Sequence, residues 1–160
     1  MELLIREYLE DDKSACLTAF KSNIPTYFAE FELADFESFL DTFKTRRFYV
    51  DTNRRTSYFV MVVDGKVVGC GGFGDKDNTN TLTLAWGLIH SGFHKLGLGE
   101  SLLQFRLQEI KKHFPGEQVN IDTTQHTFGF FEKNGFSVSK ITKDFYAEGM
   151  HRFDMVYNSE

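Results

Sequence analysis

The chain has 160 residues, a formal net charge of −5, 41% hydrophobic residues and only two prolines. That balance excludes a disordered chain, and the lack of a long basic run argues against a nucleic-acid partner. No apolar run approaches the roughly 20 residues of a membrane span, so no membrane partner is expected. The early charges of Met1-Glu2-Leu3-Leu4-Ile5-Arg6-Glu7 do not read as a signal peptide. Two cysteines, Cys16 and Cys70, lack metal-ligand spacing. They suit a reducing cytoplasm, which is the expected location, and no metal is expected. One domain over residues 1–160 is the expectation at this length.

In chain order, residues 3–8 alternate as a first strand. Asp11-Asp12-Lys13-Ser14 offers an acidic helix start, with helical residues from Ala15 to Phe20. Asn23-Ile24-Pro25 breaks that helix. A second helix is predicted from about Leu33 to Phe43, because Phe36, Phe39, Leu40 and Phe43 form an apolar stripe at i, i+3, i+4 and i+7. Residues 56–63 and 66–73 read as strands joined by Asp64-Gly65, a strong two-residue hairpin signal. Residues 75–80 form a polar loop. A strand follows from Thr81 to Ile89, and then a helix from about Leu98 to His113 with apolar residues at helical spacing. Short segments complete the chain: a strand at 119–122, a helix at 127–133 stopped by Asn134-Gly135, and closing strands at 136–141 and 152–157. A glycine-containing connection spans Lys143 to His151. The order is β-α-α-β-β-β-α-β-α-β-β, which points to an α/β (α+β) fold. A mixed, mostly antiparallel twisted sheet with helices on both faces is expected.

Between the strand at 81–89 and the helix at 98–113 lies His94-Lys95-Leu96-Gly97-Leu98-Gly99-Glu100-Ser101. A helix N-terminus has unpaired N–H groups and the positive end of the macrodipole. Glycines let a ligand approach that backbone, so the segment is a candidate phosphate site. A second glycine run, Gly69-Cys70-Gly71-Gly72-Phe73-Gly74, matches the dinucleotide pattern letter for letter. That pattern works only where it opens a helix. Here loop residues follow, so these glycines instead mark a bulged strand where something packs closely.

The loop and the element Phe130-Phe131-Glu132-Lys133-Asn134-Gly135-Phe136 together resemble the GNAT superfamily, the Gcn5-related N-acetyltransferases. The family's loop reads Arg/Gln-x-x-Gly-x-Gly/Ala, and its later helix ends Leu-Tyr-Glu-Lys-x-Gly-Phe. The element order agrees over essentially the whole chain. The resemblance implies that the backbone of Lys95, Leu96, Gly97, Leu98 and Gly99, with Glu100 and Ser101, cradles the pyrophosphate of coenzyme A. His94 stands at the Arg/Gln position. Leu88 and Ile89 match the strand end that pairs with pantetheine, and Leu88 N–H is the expected oxyanion donor. This strand is expected to splay from the strand at 119–122 to admit the thioester. Phe131 occupies the place of the family's usual tyrosine acid and has no proton to give. The asparagine often found seven residues before that tyrosine is Thr124 here.

The implied activity is an enzyme's: direct transfer of an acetyl group from acetyl-CoA to a primary amine of a small molecule or peptide. The acyl group could also be longer than acetyl. Such a reaction needs orientation of the thioester, polarisation of its carbonyl, and removal of one proton. Tyr146, His126 and Asp122 are the candidate acid–base groups, with His90 and His151 further histidines in range of the site. Tyr27, Phe28, Phe31 and Trp86 are candidates for an aromatic acceptor pocket suited to a cationic amine. Glu30, Glu32 and Asp35 add negative charge nearby. The alternative is a non-catalytic acyl-CoA sensor or interaction module, and a homodimer stays open.

Overall fold

A computed structural model describes residues 1–43, 56–75 and 81–158. The polar loop expected at 75–80 lies almost wholly outside the described residues. The strands are β1 (Leu3–Glu7), β2 (Ser57–Val63), β3 (Lys66–Gly74), β4 (Thr81–Ile89), β5 (Gln118–Thr123), β6 (Phe136–Ala147) and β7 (Met150–Tyr157). The helices are α1 (Lys13–Lys21), α2 (Glu32–Asp41), α3 (Leu98–His113) and α4 (Phe128–Lys133), with single 3-10 turns at Glu10–Asp12 and Ser91–Phe93. The seven strands form one sheet in the order β1-β2-β3-β4-β5-β7-β6. Each neighbouring pair is antiparallel except β4–β5, which is parallel.

Strand alternation sorts the core onto two faces. Tyr58 and Val60 of β2 face α1 and α2, where they meet Cys16, Phe20, Phe36 and Leu40. Phe59 of β2 faces the other way, into a cluster with Leu103, Leu107 and Ile110 of α3 and Phe131 of α4. The apolar stripe of α2 therefore packs on the sheet: Phe36 and Leu40 are buried, and Phe39 sits edge-on to Tyr58 with ring centroids 5.1 Å apart. The β2–β3 turn places both Asp64 (φ 48°) and Gly65 (φ 83°) in the left-handed region. That is the geometry a two-residue hairpin turn of this hand demands.

The closing hairpin differs from the expectation. Residues 143–151 do not form a connection. β6 runs on to Ala147 and β7 begins at Met150, with Gly149 (φ 77°) in the turn. The register shifts between Thr142 and Ala147. An edge strand exposed at Lys143, Asp144 and Phe145 shows no apolar alternation, and a bulge breaks what pattern there is.

One buried carboxylate ties the first strand to the first helix. Asp12 receives hydrogen bonds from Arg6 Nη1 (2.8 Å), Arg6 Nη2 (2.9 Å) and Leu9 N–H (2.8 Å). Burial of Asp12 works to raise its pKa, but the Arg6 and Leu9 hydrogen bonds outweigh it and hold the carboxyl below its usual range. A depressed folded pKa contributes stability above the unfolded value near 3.9, lost as pH falls through the lower folded value. Asp12→Asn should therefore cost about 1–2 kcal/mol at pH 7. In urea melts, its gap from the unaltered protein should close as pH falls below the ordinary Asp range. A gap independent of pH would contradict this reading.

Candidate active site

The site begins where the sheet stops being continuous. β4 and β5 pair only at Thr81–Gln118, Leu82–Val119 and Thr83–Asn120. β4 then continues to Ile89 without a ladder to β5, while β5 pairs on its far side with β7. A gap thus opens between β4 and β5. Opposite it, the β3–β4 register slips between Cys70 and Gly72, so that Trp86 and Gly87 face Gly71 alone. Trp86 adopts φ 42°, a left-handed conformation that is a genuine outlier for a bulky residue.

Hydrogen bonds around this bulge fix the direction of its peptide groups. Tyr58 Oη, from β2 across β3, donates to the Trp86 carbonyl at 2.7 Å. In a planar trans peptide the N–H points opposite to the C=O. The Gly87 N–H is therefore turned away from β2 and β3, toward the gap, and Gly87 is exposed. Leu88 differs. Its carbonyl oxygen lies 2.9 Å from where a Gly69 Cβ would sit, so it faces β3. A strand residue's N–H and C=O point to the same side, so the Leu88 N–H also faces β3. The Leu88 N–H, the donor expected from the sequence, is thus directed at β3, and the bulge leaves the Gly87 N–H on the gap side. The Ile89 carbonyl faces out of the ladder, accepting from Asn23 Nδ2 (2.9 Å) and lying 2.8 Å from His94 Nε2.

At one end of the gap stands the N-terminus of α3. Gly97 caps it at φ 77°, two residues after Lys95 at φ 63°. Ser101 N–H makes the first intrahelical bond, to Gly97 O at 3.1 Å. The N–H groups of Leu98, Gly99 and Glu100 thus precede the helical ladder and are presented at its positive end. A Cβ on Gly99 would meet nothing nearer than Phe130 Cζ at 3.8 Å, so the approach to this backbone is open. His94 holds the loop to the end of β4 through Ile89, a tethering role in this structure. The other glycine run lies inside β3 and opens no helix. A Cβ on Gly72 would collide with Ser57 O, and one on Gly71 would lie 3.3 Å from Arg106 Cζ. Close packing accounts for it.

On the β5–β7 side, the structure brings two of the three acid–base candidates together. Tyr146 Oη donates to Asp122 Oδ1 at 3.0 Å. Arg152 Nη2 lies 3.6 Å from Asp122 Oδ2, and Arg152 Nε donates to Asp154 at 2.9 Å. Asp122, Arg152 and Asp154 line a polar cavity of about 160 Å³ with Thr83, Asn120 and Ser139. Burial, and then the charge and hydrogen bond of Asp122, push the Tyr146 phenol well above its ordinary pKa. It stays protonated at any working pH. Glu32, at the start of α2, lies close enough to interact electrostatically with both groups. Burial raises its pKa, opposed by the hydrogen bond it accepts from Ala29 N–H at 2.8 Å. The sequence flags Glu32 only as local charge, because the fold alone brings the start of α2 within electrostatic range of Asp122. His126 does not join this group. It is exposed, its ring edge-on to Tyr27 at 6.3 Å.

The four aromatic candidates do not converge on one box. Phe28 stacks on Phe20 at 4.4 Å, and Trp86 packs on Phe36 at 5.3 Å, both within the α1–α2 core. Phe31 is 60% exposed. Tyr27 alone lies at the mouth of the gap, between His94 (5.5 Å) and His126. A stripe of aromatics beside a sheet fills the core first, since burying those faces is the larger gain. Phe131, at the family's tyrosine position, is core: it is buried and edge-on to Phe136. Among the described residues, no three His, Cys, Asp or Glu side chains gather to hold a metal ion. No helix among them is long and apolar enough to cross a membrane.

With the open strand pair and helix N-terminus in place, the comparison with known proteins is decisive. Residues 23–159 match the family described as Acetyltransferase (GNAT) domain. The chain belongs to the GNAT acetyltransferase family. Among curated relatives, an N-alpha-acetyltransferase of Sulfurisphaera tokodaii is 26% identical over 106 residues, 58% of this chain. The matched segment spans 64% of that relative's length. A GNAT-family protein of Desulfovibrio desulfuricans superposes with a TM-score of 0.81 at 18% identity, covering 98% of this chain and 99% of its own. The PaiA N-acetyltransferase of Thermoplasma acidophilum, solved with coenzyme A, superposes with a TM-score of 0.73 at 16% identity, covering 99% of this chain and 100% of its own. These structures share the GNAT fold with this chain.

The open space around Gly99 gives a clean test of the loop. If phosphate rests on this backbone, Gly99→Val should leave the circular dichroism spectrum intact and abolish acetyl-CoA binding in calorimetry, since it adds bulk to the helix's first turn. Undiminished affinity in the folded variant would contradict the placement of the pyrophosphate.

Proposed function

We propose that this GNAT protein transfers the acetyl group of acetyl-CoA to a primary amine by direct attack. The observation that carries the reading is the exposed Gly87 N–H, turned into an unpaired β4–β5 gap that ends at the α3 N-terminus. Pyrophosphate would rest on the N–H groups of residues 95–99, and pantetheine would run along Ile89 in the gap. The thioester oxygen would take its hydrogen bond from Gly87 N–H, an oxyanion donor of the kind that stabilises the tetrahedral intermediate.

The acceptor side is acidic. Asp122 and Glu32 would draw in an ammonium group, and Glu32, made more basic by burial, would take its proton. The free amine then attacks the carbonyl carbon, forming the C–N bond. Collapse of the intermediate breaks the C–S bond and expels the thiolate. Tyr146 would supply the thiol's proton, the part Phe131 cannot play, and regain one from the Asp122–Glu32 group. The nitrogen sheds its second proton to water as the intermediate collapses, so of the two protons the ammonium gives up, one ends on the thiol and one in solution. The name of the Sulfurisphaera tokodaii relative supports a peptide α-amine as acceptor, and the carboxylates suit any compact cation.

The test is thiol release from acetyl-CoA across small primary amines and peptides with free N-termini, with the acetylated product identified by mass. Turnover on at least one class is expected. Tight acetyl-CoA binding without turnover on any would favour an acyl-CoA sensor instead. On an active acceptor, Tyr146→Phe should lower kcat by roughly 10²–10⁴ with little change in KM for acetyl-CoA. Full activity would make the phenol structural.

A base works only when deprotonated. kcat/KM should therefore fall as pH drops through the Glu32 pKa, above the ordinary Glu value near 4.3. Glu32→Gln keeps an acceptor for Ala29 N–H, so it should lower the rate and remove that acid limb. An unchanged limb would assign the base elsewhere.

A further inference from the structure

The peptide that carries the exposed N–H is gripped from both faces of the sheet. On the α1–α2 face, Tyr58 is completely buried and its hydroxyl is spent on the Trp86 carbonyl. On the α3 face, Arg106 is 3% exposed and its guanidinium lies under Gly87. A Cβ on Gly87 would come within 2.7 Å of Arg106 Nη2 and 3.0 Å of Nη1. Arg106 Nη1 donates to Gly72 O at 3.2 Å, while buried Nε has no hydrogen-bond partner.

This is a poor arrangement for stability alone. A buried charge that makes few hydrogen bonds is costly, and an apolar side chain of similar volume often serves a core better. Two strand positions, Gly71 and Gly87, also lack side chains where the guanidinium passes. Burial lowers the Arg106 pKa to about 10, so the group remains charged at neutral pH. The cost is met next to Trp86, the bulky residue held in left-handed geometry. Strained backbone of this kind persists only where its surroundings over-determine it.

We propose that Tyr58 and Arg106 are positioning residues for acyl transfer, locking the Trp86–Gly87 peptide so that its N–H is aimed at the thioester oxygen. Tyr58 fixes the carbonyl end. Arg106 packs against Gly87 and sets a positive charge beside the N–H in a region of low dielectric, where it favours negative charge developing on the oxygen. Both side chains are buried against the bulge, so both act through the peptide. The inference rests on the acyl-CoA reading given above.

The polarisation can be read without knowing the acceptor. Acetyl-CoA labelled with ¹³C at the carbonyl is bound to the unaltered protein and to Tyr58→Phe, Arg106→Met and Arg106→Lys. Infrared difference spectra then report the thioester stretch, and calorimetry reports affinity. The bound stretch should lie below that of free acetyl-CoA in the unaltered protein. It should move back toward the free value in Tyr58→Phe and Arg106→Met at unchanged affinity, and be largely restored in Arg106→Lys. With an active amine, kcat should fall by up to about 100-fold in the first two variants while KM for acetyl-CoA holds. A stretch that stays at the unaltered protein's value in both Tyr58→Phe and Arg106→Met overturns the proposal. So does loss of the shift only in proportion to lost affinity or fold, because that is what a merely structural role would give. Failure of the unaltered protein to bind acetyl-CoA overturns the acyl-CoA reading itself, and this inference with it.

Discussion

A single hydrogen bond, from Tyr58 Oη to the Trp86 carbonyl, orders the chemistry of this fold. A β-strand ordinarily commits its N–H and C=O groups to its neighbours. Here β4 leaves β5 after Thr83, and one side of the strand loses its ladder to a neighbouring strand. The bulge at Trp86 rotates the next peptide out of the ladder. Without a partner for the Trp86 carbonyl, that rotation would leave a buried acceptor unpaired, which is expensive. The Tyr58 hydroxyl satisfies the carbonyl, and the N–H at the other end of the same peptide is left to face the gap.

The small residues around the bulge follow from the same constraint. Gly72 lets β3 lie against Ser57 and Tyr58, so that the phenol can cross beneath β3 to reach β4. Gly71 and Gly87 leave room for Arg106 on the opposite face. The glycine run that mimics a dinucleotide motif is thus a set of close approaches around one peptide. Away from the bulge, the mouth of the gap is assembled from three loops. Asn23 and His94 hold the Ile89 carbonyl, and Tyr27 reaches from the α1–α2 segment to His94 and His126.

What could be read from the sequence was what local pattern controls. The Asp64-Gly65 turn, the β4 strand and the bounds of α3 depend on neighbours in the chain, and they agree with the structure. The glycine loop that opens α3 is legible because a helix start depends on only a few adjacent residues. What local pattern does not control is not legible. The direction of the Leu88 and Gly87 N–H groups is not legible, because a bulge changes strand parity without a local signal beyond a glycine. The packing of Phe28 and Trp86 is not legible, because aromatic residues look alike whether they line a cavity or a core. The roles proposed for Glu32 and Arg106 carry no local signal, because their neighbours Asp122 and Gly87 are distant in sequence. β6 was cut short because an exposed edge strand carries polar residues on both faces.

The central claim concerns where one N–H points. A crystal structure of the protein with bound acetyl-CoA tests it most directly. The account predicts pantetheine between β4 and β5, with the thioester oxygen roughly 2.7–3.1 Å from Gly87 N. A thioester oxygen held by another donor, or a coenzyme bound outside the β4–β5 gap, would contradict it.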